Sequence, residues 1–492
     1  MNSAKSIFII TGDIGEGKTT FLNNLSVILR KRWSVDGFVL LGEGRGHDKE
    51  TPCAYTYKLK FIKHSRIYPW AKKKDGERGF DFSEETKQLV ENETARWREQ
   101  ESEIILMDDL GALELSGEGF HDAFKMVLDS DVKAIVVCVK KRVLDQFIEY
   151  FKIDRPIVVD LETLDGRAAK NSVVRKIKAL DGEKIGIYST VNGVVEVGVG
   201  SALHATGLPM KGNFLALVQN FFLVLYGKDL KGRGLIWIAG ITGGLKSFSP
   251  AGSKLKPMFY IFAQGALFSL PSLIGGWNFV TALLGSFLMG LSTILLNIMF
   301  KYLMFGIPAI VAYINATNKL LAKLDISAFD FWHLFLGLLL FKGTLAMLVG
   351  IVAYSINFSK FMNKLVIKVE KIEKRDLEEI KVQSVKSSLI GAVRDITLVR
   401  FLFPFAVTIL MIYFFANLSG VGFVSVVIRA FVMAWFGFFI ARRINFYKIV
   451  KFLRSKNLDY VADGLEKSLM TVSAFRAKDK KKETQDGKKT SK

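Results

Sequence analysis

Short apolar runs alternate with amphipathic stretches over the first third of the chain. The apolar runs have the length and β-branched character of strands, and they lie at 6–11, 37–41, 104–107, 133–139 and 156–160. Apolar residues recur at helical spacing between and around them, at 18–32, 83–98, 119–129 and 141–151. Strands that alternate with helices are typical of a parallel sheet with crossover connections. The pattern therefore predicts an α/β domain with a parallel sheet over residues 1–165.

Long apolar segments dominate the chain after a basic linker predicted at 166–183. A helix needs about 20 apolar residues to cross the bilayer core. Segments 278–299, 332–356 and 420–440 meet this requirement, and 257–275 and 401–417 come close to it. Three more, at 184–203, 213–226 and 234–245, are as compatible with interfacial or re-entrant helices as with spans. We expect an all-α polytopic membrane domain with six to eight spans.

The membrane part is interrupted once and ends in a basic tail. Residues 184–356 are predicted as a transmembrane domain and 401–445 as a transmembrane hairpin. The segment 357–400 between them is polar with one apolar helical face. It is either a solvated cytoplasmic hairpin or a helix that couples the nucleotide-binding domain to the membrane domain. Residues 446–492 form the predicted tail, which is rich in lysine after Ala474.

The net charge of the chain indicates a type of partner only when it is considered together with these apolar segments. The 492 residues include 68 Lys and Arg against 47 Asp and Glu, a formal net charge of +21. Basic residues beside apolar spans are typical of cytoplasmic loops. No base-reading motif is present, so we expect a lipid bilayer as partner and no nucleic acid. An even number of spans and the absence of a signal peptide predict a multi-pass protein of the cell inner membrane, with cytoplasmic N- and C-terminal regions. The two cysteines, Cys53 and Cys138, fit a reducing compartment.

A phosphate-binding motif lies between the first predicted strand and the first predicted helix. Residues 12–19 read Gly-Asp-Ile-Gly-Glu-Gly-Lys-Thr and match G-x-x-x-x-G-K-[ST]. In such a loop the backbone N–H groups surround the phosphates, the lysine (Lys18) contacts the β and γ oxygens, and the hydroxyl of Thr19 ligates Mg²⁺. The motif predicts that the chain binds ATP or another nucleoside triphosphate with Mg²⁺. The predicted phosphate-binding residues are Gly12, Asp13, Ile14, Gly15, Glu16, Gly17, Lys18, Thr19 and Thr20.

Two carboxylates follow a later apolar strand, Ile104–Met107. Asp108 is predicted to hold the metal together with Thr19, and Asp109 to orient or deprotonate the attacking water. Lys18 and Asp109 are thus the predicted catalytic residues. The basic residues Arg45, Lys140 and Arg142 could neutralise charge at this site, but each is interpreted as a solvated surface residue. No His or Cys spacing indicates a structural metal.

Two stretches of the chain together form a recognisable pattern: residues 9–20, and Asp108-Asp109-Leu110-Gly111-Ala112-Leu113-Glu114-Leu115 followed by Phe120. They resemble the broad-specificity P-loop nucleoside-triphosphatase family, the family of the human cancer-related NTPase. The second motif of that family typically reads Asp-Glu-Ile-Gly-x-Met-Glu-Leu. The resemblance implies that Asp108 takes the metal-side position, Asp109 the catalytic Glu position and Glu114 that of the downstream Glu. The side chain of Asp109 is one methylene shorter than that of the family's Glu. We expect this difference to affect the rate of hydrolysis more than the affinity for the nucleotide.

The segment Leu115–Gly119 resembles the signature of ABC transporter ATPases. In those proteins the signature precedes the strand that ends in the carboxylates, whereas here it follows that strand, so we interpret the segment as a loop.

The membrane half contains charged residues within apolar segments, which are costly there and therefore functional candidates. They are Glu196, Lys342 and Arg429, with structural pairing as the alternative for each. Residues 184–315 faintly resemble the substrate-binding subunits of energy-coupling-factor transporters. We therefore expect coupling of nucleotide hydrolysis to transport of a small solute, with possible partner subunits or a homo-oligomer. A nucleotide-gated membrane regulator or assembly protein and a membrane-anchored P-loop kinase remain as alternatives.

Overall fold

The computed structural model describes residues 5–13, 15–43, 56–74, 80–99, 102–130, 132–205, 211–246, 255–326, 329–357, 385–397, 399–443, 445–456 and 458–469. The chain divides into two compact units, Met1–Lys178 and Ala179–Lys492, here called unit 1 and unit 2. Most of the predicted amphipathic segment 357–400 and the tail beyond residue 469 lie outside the described residues.

Unit 1 is built around one eight-stranded sheet. Its strands are β1 (Ser6–Thr11), β2 (Val35–Glu43), β3 (Thr56–Phe61), β4 (Ile67–Lys73), β5 (Phe80–Phe82), β6 (Ile104–Leu110), β7 (Ala134–Val139) and β8 (Ile157–Asp160). Its helices are α1 (Lys18–Leu29), α2 (Glu84–Glu99), α3 (Ala112–Leu115), α4 (His121–Asp129) and α5 (Leu144–Tyr150), and a 3₁₀ turn precedes α5.

The strand order is β5-β4-β3-β2-β6-β7-β1-β8. Strands β2, β6, β7, β1 and β8 pair in parallel, which confirms the predicted α/β fold. The prediction of a parallel sheet is incomplete, because β3, β4 and β5 extend the sheet beyond β2 in antiparallel pairing. Only part of each of these strands is buried, so their sequences lack the continuous apolar runs of the parallel strands.

Both faces of the sheet are covered. On one face, Ile7 and Ile9 of β1 belong to a core that includes Phe124 of α4 and Phe147 of α5. On the other face, Phe8 and Ile10 join a core with α1 and with the first turns of the next helix, α6 (Gly166–Ala205).

The predicted linker 166–183 is wrong in structure, because these residues are the beginning of α6. Ala169, Val173 and Ile177 recur every four residues on one face of this helix and are completely buried in unit 1. The many basic residues between them obscured this apolar face in the sequence. Residues of α6 from Ala179 onward belong to unit 2.

Over its described residues, unit 2 is helical. It continues from α6 through α7 (Lys211–Leu230), α8 (Leu235–Leu245), α9 (Leu255–Gly275), α10 (Phe279–Phe305), α11 (Ile307–Lys323), α12 (Phe331–Ser355), α13 (Val385–Thr397), α14 (Val399–Phe415), α15 (Gly420–Arg443) and α16 (Phe446–Ser455). Residues 459–469 form a further helix, α17, within the region predicted as a basic tail.

Four of the described helices are long and apolar enough to cross a membrane: Lys256–Gly275, Phe279–Phe305, Phe331–Ser355 and Gly420–Ile440. They coincide with four of the predicted spans. The described residues thus provide fewer spans than the six to eight expected. The predicted span at 401–417 corresponds to a shorter apolar helix, and α7 and α8 are apolar because they form the core of unit 2, where Leu223, Leu225 and Ile238 are completely buried.

Helices α6 and α17 approach each other closely through small residues. A Cβ atom on Gly182 would collide with the carbonyl oxygen of Tyr460, and one on Gly464 would lie 2.9 Å from the carbonyl oxygen of Gly182. The hydroxyl of Ser468 donates to the carbonyl oxygen of Gly186 at 2.8 Å. The last described helix is therefore packed tightly against the first helix of unit 2.

Candidate functional site

The predicted phosphate-binding loop joins the end of β1 to the start of α1. Two of its glycines, Gly15 and Gly17, have φ angles of 98° and 78°, in the left-handed region. A Cβ atom at either position would meet no atom within 4 Å, so glycine is required there for the backbone conformation and not for space. The loop has the curved backbone that can direct successive N–H groups at an anion.

The lysine of the loop folds back over it. The Nζ atom of Lys18 donates to the carbonyl oxygens of Gly12 and Asp13, each at 2.7 Å. The charged oxygens of a triphosphate would be stronger acceptors for the same ammonium group. Of the other predicted loop residues, Ile14 lies outside the described residues, Thr19 is half-buried, and Gly15, Glu16, Gly17 and Thr20 are exposed.

Asp108 lies at the carboxyl end of β6 and is only 1 % exposed. Its Oδ2 atom accepts a hydrogen bond from the backbone N–H of Leu40 at 3.1 Å. Its Oδ1 atom is buried and has no hydrogen-bond partner of good geometry among the described residues. Burial raises the pKa of Asp108 to about 6, although the neighbouring Thr19 hydroxyl acts in the opposite direction.

The environment of Asp108 fits a divalent cation. A buried carboxylate oxygen without a partner is costly, and a metal ion would satisfy it. The carboxylate of Asp108 and the hydroxyl of Thr19 are hard oxygen donors of the kind that Mg²⁺ prefers. Two protein ligands are enough, since Mg²⁺ in such sites is bound through one or two protein groups, substrate phosphates and water. Within the described part of the chain, no cluster of three or more acidic, His or Cys residues offers a separate metal site.

The next residue, Asp109, has a strained backbone. Its φ angle of 53° places it in the left-handed region, which non-glycine residues seldom occupy. The register between β6 and β7 shifts at this point, between Met107 and Leu110. Such irregularities redirect a side chain away from the sheet. The carboxylate of Asp109 forms an ion pair with Lys140, whose Nζ lies 3.3 Å from Oδ1.

Lys140, which the sequence analysis interpreted as a solvated surface residue, lies at the candidate site. It directly follows β7, the strand that lies between β1 and β6. Because the carboxyl ends of parallel strands meet at one edge of a sheet, residues after β1, β6 and β7 converge there. The sequence feature that could have indicated Lys140 is its position directly after a strand. This feature points to the site only if the order of the strands in the sheet is known.

The connection after β8 supports the phosphate-binding loop from its other side. Oε1 of Glu162 accepts a hydrogen bond from the backbone N–H of Asp13 at 3.1 Å. Lys141 forms ion pairs with Glu162 and, at 3.2 Å, with Asp160. The backbone N–H of Glu162 and the Lys141 ammonium lower the pKa of Asp160. No feature of the sequence pointed to these residues.

Glu114 is buried next to the site and does not form part of the phosphate-binding loop. Its Oε2 atom accepts from the N–H of Gly111 at 2.5 Å, and Oε1 accepts from the N–H of Phe120 at 3.1 Å. Burial raises the pKa of Glu114 to about 7, although these hydrogen bonds act in the opposite direction. Glu114 thus holds the segment between β6 and α4, where Leu115 ends α3 and residues 116–119 form the turn that follows.

The three charged candidates of the membrane half have polar partners within unit 2. Lys246 lies 3.3 Å from Oε2 of Glu196, with side chains only 4 % and 8 % exposed. Nζ of Lys342 donates to Oδ1 of Asn213 at 2.8 Å. Arg429 donates a long hydrogen bond, 3.4 Å, to the carbonyl oxygen of Leu303.

Unit 1 is similar to known proteins over most of its length. A family model described as NTPase matches residues 7–167. Among solved structures, the crystal structure of THEP1 from the hyperthermophile Aquifex aeolicus is similar at 16 % identity and a TM-score of 0.27, over 34 % of this chain and 96 % of that chain. No curated protein sequence matches the chain significantly. The first third of the chain, residues 7–167, thus matches the P-loop NTPase family.

Proposed function

We propose that the chain is a membrane-embedded, Mg²⁺-dependent nucleoside triphosphatase that couples NTP binding or hydrolysis in unit 1 to movement of a small solute through unit 2. The observation that carries the hydrolytic part is the convergence of Lys18, Thr19 and the buried, incompletely bonded Asp108 at one edge of the sheet. The family match over residues 7–167 supports the same conclusion.

Each residue of the site has a distinct task in this proposal. Lys18 exchanges the carbonyl oxygens of its own loop for the β and γ oxygens of the nucleotide. Thr19 and Asp108 would hold Mg²⁺, which would neutralise charge on the phosphates when bound. Asp109 orients or deprotonates the attacking water, and Lys140 holds its carboxylate. The chemistry is therefore transfer of the γ-phosphoryl group to water.

The transport part of the proposal rests on unit 2. Four apolar helices of sufficient length support a position in a lipid bilayer. The buried contact of Lys246 with Glu196 and the partly buried contact of Lys342 with Asn213 support a path for a polar solute. The cell inner membrane, cytoplasmic terminal regions, and partner subunits or a homo-oligomer belong to the same proposal.

The test is hydrolysis of Mg-ATP and Mg-GTP by the full-length protein in lipid nanodiscs. We expect Lys18→Ala to lower the rate about 100-fold, because one essential contact to the transferred phosphoryl group is lost. Lys125→Ala, at an exposed position on α4, is the matched control and should leave the rate unchanged. Equal rates for the wild type and Lys18→Ala would refute the site. Solute-stimulated hydrolysis would support transport, and its absence across a broad solute panel would count against it.

A second function, a nucleotide-gated regulator, is favoured by one observation. The proposed base, Asp109, is already engaged by Lys140, and its side chain is one methylene shorter than that of Glu. Both features would make hydrolysis slow, so that the nucleotide-bound state persists. Single-turnover kinetics distinguish the two functions: a bound-state lifetime of minutes, unaffected by solutes, indicates a regulator, while turnover within seconds indicates a transport ATPase.

A further inference from the structure

The junction between α10 and α11 forms a cavity against α15. Helix α10 ends at Phe305 and α11 begins at Ile307, with Gly306 between them at a φ angle of 75°. The cavity has a volume of about 290 Å³. Its lining combines polar and apolar side chains and includes Tyr302, Gly306, Ile307, Ser425, Val426 and Arg429.

The charged group in this cavity lacks a counter-ion. The guanidinium of Arg429 has five N–H donors. Among the described residues, only the carbonyl oxygen of Leu303 accepts one of them, at the long distance of 3.4 Å, and no carboxylate forms an ion pair with it. An arginine on an apolar helix is costly unless an anion or water solvates it. The cavity therefore has a cation and space, and the described residues lining it provide no anion.

The structure places Arg429 near the end of the helix pair α9 and α10, although it lies in the middle of α15 by sequence. Its NH1 atom is close to Gly306, directly after the last residue of α10. The same end of the pair carries two lysines. Lys256 lies 5.3 Å from the ring centroid of Phe300, and Lys301 lies 3.5 Å from that of Tyr313. Basic residues at one end of membrane helices indicate the headgroup level of the bilayer.

The surface around Arg429 is apolar and exposed. The neighbouring side chains on α15, Val424, Ile428 and Val432, are each more than half exposed. Exposed apolar side chains beside a basic group are suited to a helix at the boundary between headgroups and lipid chains. A ligand that fits this site has an anionic group that pairs with the guanidinium of Arg429. It also has an apolar part that contacts the exposed apolar side chains of α15.

We propose that the cavity at the α10–α11 junction binds an acidic phospholipid, with the phosphate paired to Arg429 and the acyl chains against the exposed apolar face of α15. Arginine forms forked, charge-assisted hydrogen bonds with phosphate, which a carbonyl oxygen cannot replace. Lys256 and Lys301 add positive charge at the same level and favour an anionic over a zwitterionic headgroup. The proposal rests on the membrane position of unit 2 and is independent of nucleotide hydrolysis.

The experiment measures retention of lipid by the full-length protein. The protein is equilibrated in nanodiscs of phosphatidylcholine and phosphatidylglycerol, extracted into mild detergent, and analysed by native mass spectrometry. Wild type is compared with Arg429→Gln, which removes the charge, and Arg429→Lys, which keeps the charge without the fork. Arg454→Gln is the charge-matched control, since Arg454 pairs with Asp463 and Glu466 away from the cavity. Ser425→Phe fills the cavity without changing the charge.

We expect phosphatidylglycerol to remain on the wild type and on Arg454→Gln, and to fall about tenfold on Arg429→Gln and on Ser425→Phe. Arg429→Lys should lie between these values. Equal retention by the wild type and Arg429→Gln, or equal retention of phosphatidylcholine and phosphatidylglycerol, would overturn the proposal. A further arm adds millimolar inorganic phosphate during extraction. Displacement of the lipid by phosphate would show that the site binds a free anion and not a lipid.

Discussion

At the residue scale, two adjacent carboxylates have different surroundings because the backbone separates them. Asp108 remains in the strand and is buried beside Thr19, where a cation would satisfy its free oxygen. Asp109 turns away through a left-handed conformation and reaches Lys140. Asp and Asn tolerate this conformation better than other non-glycine residues. The local backbone thus favours Asp over the longer Glu at this position.

Asp109→Asn tests the role of the second carboxylate. Asparagine keeps the shape and tolerates the left-handed backbone, but it removes the charge that attracts Lys140 and accepts a proton. We expect hydrolysis to fall about 100-fold with nucleotide affinity nearly unchanged. Fluorescent-nucleotide binding and phosphate release measure the two quantities. Asp145→Asn, at an exposed position on α5, is the control, and an unchanged hydrolysis rate in Asp109→Asn would remove Asp109 from the mechanism.

Glu114 should make the stability of its segment depend on pH. Its folded-state pKa of about 7 lies above the usual value of 4.5, so the folded state holds the proton more tightly than the unfolded state. Its contribution is therefore complete below about pH 4.5 and is lost as the pH rises through about 7, by at most about 3 kcal/mol. Glu114→Gln, which cannot ionise, should lose this dependence.

Hydrogen exchange of the Gly111 and Phe120 amides, corrected for intrinsic rates, measures the effect. Both amides donate to Glu114 and report opening of the segment. Glu118→Gln removes an exposed carboxylate from the same turn and should behave like the wild type. Parallel pH profiles for the wild type and Glu114→Gln would show that Glu114 does not titrate in this range.

The sequence predicts the parts of the site that are contiguous and not those that meet only in the fold. Residues 12–19 and Asp108 were predicted because a motif or a strand end carries them. The contacts of Lys140 with Asp109 and of Glu162 with Asp13 depend on strand order, and Asp13 and Glu162 are 149 positions apart. Without the order β6-β7-β1-β8, no local pattern relates them.

At the element scale, α6 shows how a charged helix can be mistaken for a linker. Arg167, Lys170, Arg175, Lys176 and Lys178 dominate its beginning, yet every fourth residue is apolar. Similarly, β3 alternates lysines with apolar residues, as a strand with one solvated face does. A search for continuous apolar runs finds buried parallel strands and misses elements of this kind.

The burial of the first turns of α6 predicts that a fragment 1–165 is much less stable than a fragment 1–178. Removal of Ala169, Val173 and Ile177 exposes the face of the sheet that they cover, at a cost of about 4 kcal/mol. Urea unfolding of the two soluble fragments measures the difference. Within the longer fragment, Ile177→Ala should cost about 3 kcal/mol and the exposed Lys176→Ala almost nothing. Equal stability of both fragments would contradict the described packing.

At the scale of the whole molecule, four described helices agree with predicted spans, and the number of spans in the whole chain stays a prediction. Helices α7 and α8 are rich in apolar residues, yet many of these side chains are covered by other helices of unit 2. Apolar residues in a protein core and in lipid obey the same solvent preference. Hydropathy alone therefore cannot distinguish a helix surrounded by protein from one surrounded by lipid.

Lys342 tests whether the two units work together. In the transport proposal, a charged residue on the apolar α12 contributes to the solute path. We expect Lys342→Met to abolish solute-stimulated hydrolysis in nanodiscs while basal hydrolysis stays within about twofold, since the nucleotide site is untouched. Lys323→Met, at the exposed end of α11, is the control. Stimulation that survives in Lys342→Met would exclude Lys342 from the solute path.

The glycine-mediated contact between α6 and α17 has a consequence for biosynthesis. Gly186 and Ser468 lie 282 positions apart, so the partner of α6 is among the last parts of the described chain to leave the ribosome. At a translation rate of about 5–20 residues per second, roughly 14–56 s pass between synthesis of α6 and synthesis of the α17 residues that pack on its small-residue face. During that interval the nascent chain exposes a groove that fits a helix backbone. Translation speed and nascent-chain protection thus become determinants of yield for this protein, and a stop codon before α17 would leave the groove permanently open.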